Sequence, residues 1–255
     1  MSRTPFFAAN WKMNKCVAEA EAFAAAFLPR VASLRSVEIA LAPPATALHA
    51  LGRALDGSAV ALAAQNVHAE ASGAFTGELS VAMLAEVGCR YGIVGHSERR
   101  TLFGETDADV AAKARALLAA GLRPIVCLGE SLEQREADRT LAVCAAQLDG
   151  SLAGLEAAHA AELTLAYEPI WAIGTGRTAT PETAQEVHGF IRDWLGTRFG
   201  AAAADRIRIQ YGGSVKPDNV GALLAQPDID GGLVGGASLE PESFASICRS
   251  ADPAG

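Results

Sequence analysis

Short apolar runs that read as strands lie at 6–9, 37–42, 59–64, 91–94, 124–128, 163–167, 207–211 and 233–235, with helical sequence between them. Such alternation favours a parallel α/β architecture, because parallel neighbours need a long crossover and a helix commonly supplies it. Eight units fit a closed (β/α)8 barrel better than an open doubly wound sheet, although composition alone leaves both open. The chain has 255 residues, and such barrels commonly use about 250. No Pro/Ser-rich linker or charge block divides it, so one domain over 1–255 is expected, with a frayed tail at 250–255.

Two helix starts are well marked. Thr106 with Asp109 has the spacing of a capping box, and Val110, Ala114, Leu117 and Leu118 follow at helical intervals until Gly121. Thr180-Pro181 opens a second helix, with Val187, Phe190, Ile191, Trp194 and Leu195 on one stripe.

Composition narrows the function classes. Half of the residues are hydrophobic and 20% are charged, enough for a sizeable core. A net charge of −8 argues against a general nucleic-acid surface, though a small anion can still meet a locally positive site. The five cysteines are scattered and form no C-x-x-C pair, which suits reduced thiols in a cytoplasm better than disulfides or zinc. The first residues lack the apolar core of a signal peptide. No apolar run reaches the ~18 residues of a membrane helix.

Side chains two apart on a strand share a face. Phe6, Ala8, Asn10 and Lys12 are in phase, as are Gly92, Val94 and His96, and Thr164, Ala166 and Glu168. If those faces are the barrel interior, Asn10, Lys12, His96 and Glu168 gather over the C-terminal mouth, where barrel enzymes do their chemistry. Glu168 is followed by Pro169-Ile170-Trp171-Ala172-Ile173-Gly174-Thr175-Gly176-Arg177, a loop too apolar for a plain solvent connection. A carboxylate base with its own lid at 169–177 is expected. Gly174, Ser214 and the Gly235-Gly236 pair permit close backbone approach, and their N–H groups suit an anion. The segment 65–78 is too long for a plain barrel turn, which points to a function.

The stretches Asn10-Trp11-Lys12-Met13-Asn14, Gly95-His96-Ser97-Glu98-Arg99-Arg100, Ala166-Tyr167-Glu168-Pro169, Tyr211-Gly212-Gly213-Ser214 and Gly235-Gly236-Ala237-Ser238-Leu239 together resemble the triosephosphate isomerases. They occur in that family's order and cover nearly the whole chain. The resemblance implies a TIM barrel that interconverts dihydroxyacetone phosphate and D-glyceraldehyde 3-phosphate through an enediolate, in glycolysis and gluconeogenesis, without metal or cofactor.

It further implies Glu168 as base, raised in basicity as water is excluded, and His96 as a neutral electrophile at a helix N-terminus. That pairing is the standard illustration of this family's chemistry, as is the closing lid. Lys12 would supply positive charge and Asn10 would orient substrate, with Trp11, Gly174, Ser214, Gly235 and Gly236 around it. Ser97, Glu98 and Cys127 would support these groups, Glu98 by positioning Lys12 and Cys127 by packing. Gln65, Phe75 and Thr76 would belong to a loop inserted into a second subunit of a homodimer. Arg177 stands where the family often has Lys. The rival readings are another phosphate-binding barrel, such as an aldolase using Lys12 or a sugar-phosphate epimerase, and an inactive scaffold barrel.

Overall fold

The structure, a computed structural model, describes residues 3–173 and 179–252. Eight parallel strands close into a barrel in sequence order. They are β1 (Phe6–Asn10), β2 (Glu38–Ala42), β3 (Ala61–Ala64), β4 (Cys89–Val94), β5 (Arg123–Leu128), β6 (Thr164–Tyr167), β7 (Arg208–Tyr211) and β8 (Gly231–Val234). Closure is the pairing of β1 with β8, Phe6 opposite Gly231. A Cβ on Gly231 would sit 2.0 Å from the Phe6 carbonyl oxygen. The seam therefore needs a glycine, and β8 begins earlier than the expected 233.

The anticipated helices form at Asp107–Ala119 and Pro181–Phe199. Thr106 and Asp109 cap each other reciprocally, the Thr106 hydroxyl accepting from the Asp109 amide at 3.2 Å. Val187, Ile191 and Leu195 turn their stripe onto the sheet. Among the described residues no helix is long and apolar enough to cross a membrane.

Two apolar layers result. The outer one packs Phe7, Ala9, Val94, Val126 and Leu165 against the helices, and the inner one fills the barrel with Phe6, Ala8, Tyr91, Ile93, Ile125 and Ala166. At the lower end Glu38 accepts hydrogen bonds from Tyr91 and Arg208, and the Arg208 guanidinium lies over the Phe6 ring. This plug closes the N-terminal mouth, so the opening that remains is at the other end.

The layers correct the phase assigned to β4. Tyr91 and Ile93 face inward, whereas Val94 faces the helices and the bare Cα of Gly92 makes room for Leu117. Simple alternation would thus turn His96 outward. Gly95 breaks it by adopting φ +72, a left-handed turn that favours glycine. The phase of β1 also ends early: Asn10 closes the strand, and Lys12 reaches the mouth through a left-handed backbone of its own, φ 53.

Candidate active site

Glu168 follows β6 directly, and its position is fixed from both neighbouring strands. Its amide donates to the Leu128 carbonyl at 2.7 Å, while the Gly212 amide donates to the Tyr167 carbonyl at 2.7 Å. Glu168 is 1% exposed. Its Oε2 accepts from the Ser97 amide at 2.9 Å, and its Oε1 lies 3.3 Å from Ser97 Oγ and 3.0 Å from His96 Nε2.

These donors decide its charge. Burial pushes the Glu168 carboxyl up, but the charge and hydrogen bond of His96 and the Ser97 amide outweigh it and hold the pKa below its ordinary value. The gain in basicity expected from water exclusion is therefore overcome in this arrangement. It returns only if the carboxylate leaves these partners.

His96 is the N-cap of a helix over Ser97–Phe103, and its Nδ1 accepts from the Glu98 amide at 3.2 Å. That bond needs Nδ1 unprotonated, which places the ring proton on Nε2, facing Glu168. Burial pushes the ring's pKa down, while the Glu168 carboxylate pulls it up for a net rise. The helix N-terminus and the Glu98 amide work against that rise, because both disfavour imidazolium.

Lys12 comes from the opposite side of the mouth. Its amide donates to Asn10 Oδ1 at 3.1 Å and its carbonyl accepts from Gln65 Nε2 at 2.8 Å. These two bonds hold the left-handed turn, and Gln65 also donates to Ala42 O at 2.9 Å. Gln65, expected as part of a subunit loop, thus supports Lys12 within its own chain. Lys12 Nζ pairs with Glu98 Oε1 at 2.6 Å.

Asn10, Lys12, His96 and Glu168 line one cavity of about 370 Å³. The Gly212-Gly213-Ser214 turn after β7 and Gly235-Gly236 after β8 line the same cavity, between β6 and β1 in the barrel order. Trp11 borders it too, but its indole is fully buried in the outer core and donates to the Ser238 carbonyl at 3.2 Å. Gly174, Thr175, Gly176 and Arg177 lie outside the described residues. The part of the expected lid before them forms one 3₁₀ turn, Ile170–Ala172, and Trp171 Nε1 donates to Glu130 Oε1 at 2.8 Å.

Cys127 sits fully buried in the inner layer; burial, then the Glu168 charge, pushes its thiol well up, so it packs as a neutral group. His188 is fully buried against Tyr167 and Tyr211, pushed down to about 4 by burial, and outside the cavity. Among the described residues no group of three or more His, Cys, Asp or Glu could hold a metal ion.

Sequence reasoning missed Glu130, a fully buried carboxylate that also accepts from the Tyr167 hydroxyl at 3.0 Å. The signal was present: Gly129-Glu130 follows β5 much as Gly95-His96 follows β4. On the outer side of Lys12, a second cavity of about 380 Å³ meets Met13, Gln65, Glu98 and Phe103. Phe75, on the loop 65–78, is 42% exposed and rests on His68, ring centroids 4.0 Å apart.

The triosephosphate isomerase family model matches residues 5–251. The triosephosphate isomerase of Symbiobacterium thermophilum is 56% identical over 249 residues, 98% of this chain and 97% of that protein. That of Rhodopirellula baltica is 53% identical over 254 residues, 100% of both chains. That of Carboxydothermus hydrogenoformans is 53% identical over 247 residues, 97% of this chain and 98% of that protein. A closed eight-stranded barrel, a carboxylate and an imidazole facing each other at its C-terminal mouth, and full-length identity above one half lead to one conclusion: the chain belongs to the triosephosphate isomerase family.

Proposed function

We propose that Glu168, His96, Lys12 and Asn10 carry out the aldose–ketose isomerisation of triose phosphates that comes with membership of this family. The observation that carries the assignment is their convergence on one cavity that glycine-rich backbone also lines. In this reading the phosphate rests against Ser214, Gly235 and Gly236, where N–H groups can approach it, and Gly174 adds to them from the lid. Lys12 opposes the charge of phosphate and enediolate. Asn10 orients the substrate oxygen and, through its bond to the Lys12 amide, the lysine backbone.

The proton moves between neighbouring carbons, so one mobile carboxylate suffices. Glu168 takes it from C1 of dihydroxyacetone phosphate and returns it at C2. His96 donates from Nε2 to the developing oxyanion, a role favoured by an Nδ1 already occupied as an acceptor. Burial of the enediolate beneath 169–177 would keep water away from an intermediate prone to lose phosphate. Trp171, tethered to Glu130 and covered by Arg135 at 4.6 Å, anchors the first part of that segment. The deciding measurement is a coupled spectrophotometric assay of glyceraldehyde 3-phosphate isomerisation. Activity is expected to survive dialysis against EDTA; loss restored by a divalent ion would overturn the metal-free mechanism and favour an epimerase-like one.

A homodimer is part of the proposal. Met13 is 95% and Phe103 69% exposed, and both border the second cavity. Exposed apolar groups around a cleft behind Lys12 suit a partner's projecting loop, with Phe75 and Thr76 at its tip. Thr76 of the second copy would then reach Asn10 and Lys12. Shortening the loop between Gly73 and Glu78 is expected to shift sedimentation from dimer to monomer, and an unchanged dimer would remove this interface. Four of the five unpaired cysteines are buried, which suits the reducing cytoplasm proposed as its location.

A further inference from the structure

The direction of His96 is set by the turn at Gly95, and that turn is held from outside the cavity. The Gly95 amide donates to Glu105 Oε2 at 3.0 Å. The Gly95 carbonyl accepts from Arg100 Nε at 2.7 Å. A Cβ on Gly95 would lie 3.0 Å from Arg100 Nη2 and 3.1 Å from the Cys127 carbonyl. With Val110 Cγ2 nearer still, at 2.8 Å, the turn has no room for a side chain.

Arg100 also replaces part of the sheet. β4 pairs with β5 up to Val94 opposite Val126, and there the chain turns away. The next carbonyl on β5, that of Cys127, accepts instead from Arg100 Nη2 at 3.1 Å. The guanidinium is locked in turn: Nη1 donates to Asp107 Oδ1 at 2.6 Å, and Ser151 Oγ bridges Nη2 and Asp107. β5 carries the Leu128 carbonyl that receives the Glu168 amide. A single side chain thus ties the turn that aims His96 to the strand that seats Glu168, across a gap where Nε2 and Oε1 are 3.0 Å apart.

We propose that Arg100, assisted by Glu105, is a positioning residue for His96: it fixes the left-handed Gly95 turn, and so the direction of the imidazole, without touching substrate. The proposal rests on the role assigned to His96 above. Only a planar fork can serve the Gly95 and Cys127 carbonyls and Asp107 at once. Lysine offers its donors from a single nitrogen and cannot span them.

The test uses the full chain with Arg100→Gln and Arg100→Lys, and Arg192→Gln as control. Arg192 makes a comparable set of bonds, to Ala204 O, Ile207 O, Asp228 and Asp230, away from the cavity. Three quantities are read: kcat and KM, the thermal midpoint, and the imidazole ¹⁵N–¹H signals of His96, assigned by their loss in His96→Gln. Both Arg100 variants are expected to shift the His96 signals and to lower kcat by up to ~10²-fold, the cost of a misplacement of about 1 Å, with KM within a few-fold. Arg192→Gln is expected to lower the midpoint while kcat and the ring signals stay. Unchanged His96 signals in a folded Arg100 variant would overturn the proposal whatever kcat does. Shifted signals with unchanged kcat would leave the clamp standing and remove His96 as electrophile. If Arg100→Gln does not fold, Arg100→Lys, which keeps a charge for Asp107, gives the same reading.

Discussion

Replacing Glu168 with Gln is expected to lower kcat by ~10²–10⁴ or more, since a positioned general base supplies about that much. KM should stay within a few-fold, because the substitution leaves in place the proposed phosphate contacts at Ser214, Gly235 and Gly236. The amide oxygen can still accept from the Ser97 amide, so the fold should be retained. A second readout reports the charge that this carboxylate carries in the folded state. The folded-state pKa of Glu168 is held below its ordinary value of 4.5. Its ionisation therefore adds stability above the unfolded pKa, and that stability is lost as pH falls through the lower folded value. Glu168→Gln should lack this part of the acid-side loss in a series of thermal scans. Near-normal turnover in the variant would remove Glu168 as the base.

Much of the site was legible because its residues sit at the ends of strands that alternation already marks. Ala166 lies in the inner layer, and Glu168, two residues on, lines the cavity at the mouth. His96 came out at the correct mouth for a wrong reason. Period-two counting carried it through Gly95, whereas the left-handed turn there offsets an outward-facing Val94. Glycines hide such reversals, because a sequence does not say which sign of φ each one takes. The same ambiguity hid the start of β8, where Gly231 and Gly232 extend the strand expected from 233 and Gly231 pairs at the seam. In the sequence Arg100 stands out only as part of a motif. Its importance lies in bonds to Cys127, Asp107 and Ser151, which no local pattern brings together. Gln65 is the reverse case: a motif assigned it to a subunit loop, and its hydrogen bonds place it under Lys12.

The room Glu168 occupies is made by two missing side chains, and removing each vacancy should have a different consequence. A Cβ on Gly129 would lie 1.8 Å from the Glu168 carbonyl oxygen and 2.6 Å from its carbonyl carbon. Both are backbone atoms, pinned by the bonds that join the ends of β5, β6 and β7, so nothing there can yield cheaply. Gly129→Ala is expected to cost about 3 kcal/mol or more of folding stability, at the upper end of overpacking changes. It should also lower kcat by ~10²-fold, because the base moves on the order of 1 Å. On Gly212 the first obstacle is the Glu168 side chain, with Cγ 2.7 Å away. That side chain can rotate, so Gly212→Ala should displace the carboxylate from Ser97 and His96 with a smaller loss of stability and a comparable loss of turnover. Urea unfolding and steady-state kinetics on the pair check this split. Equal stability losses with kcat intact in Gly212→Ala would mean that the carboxylate tolerates displacement, and that the tight seat seen here is not what makes it a base.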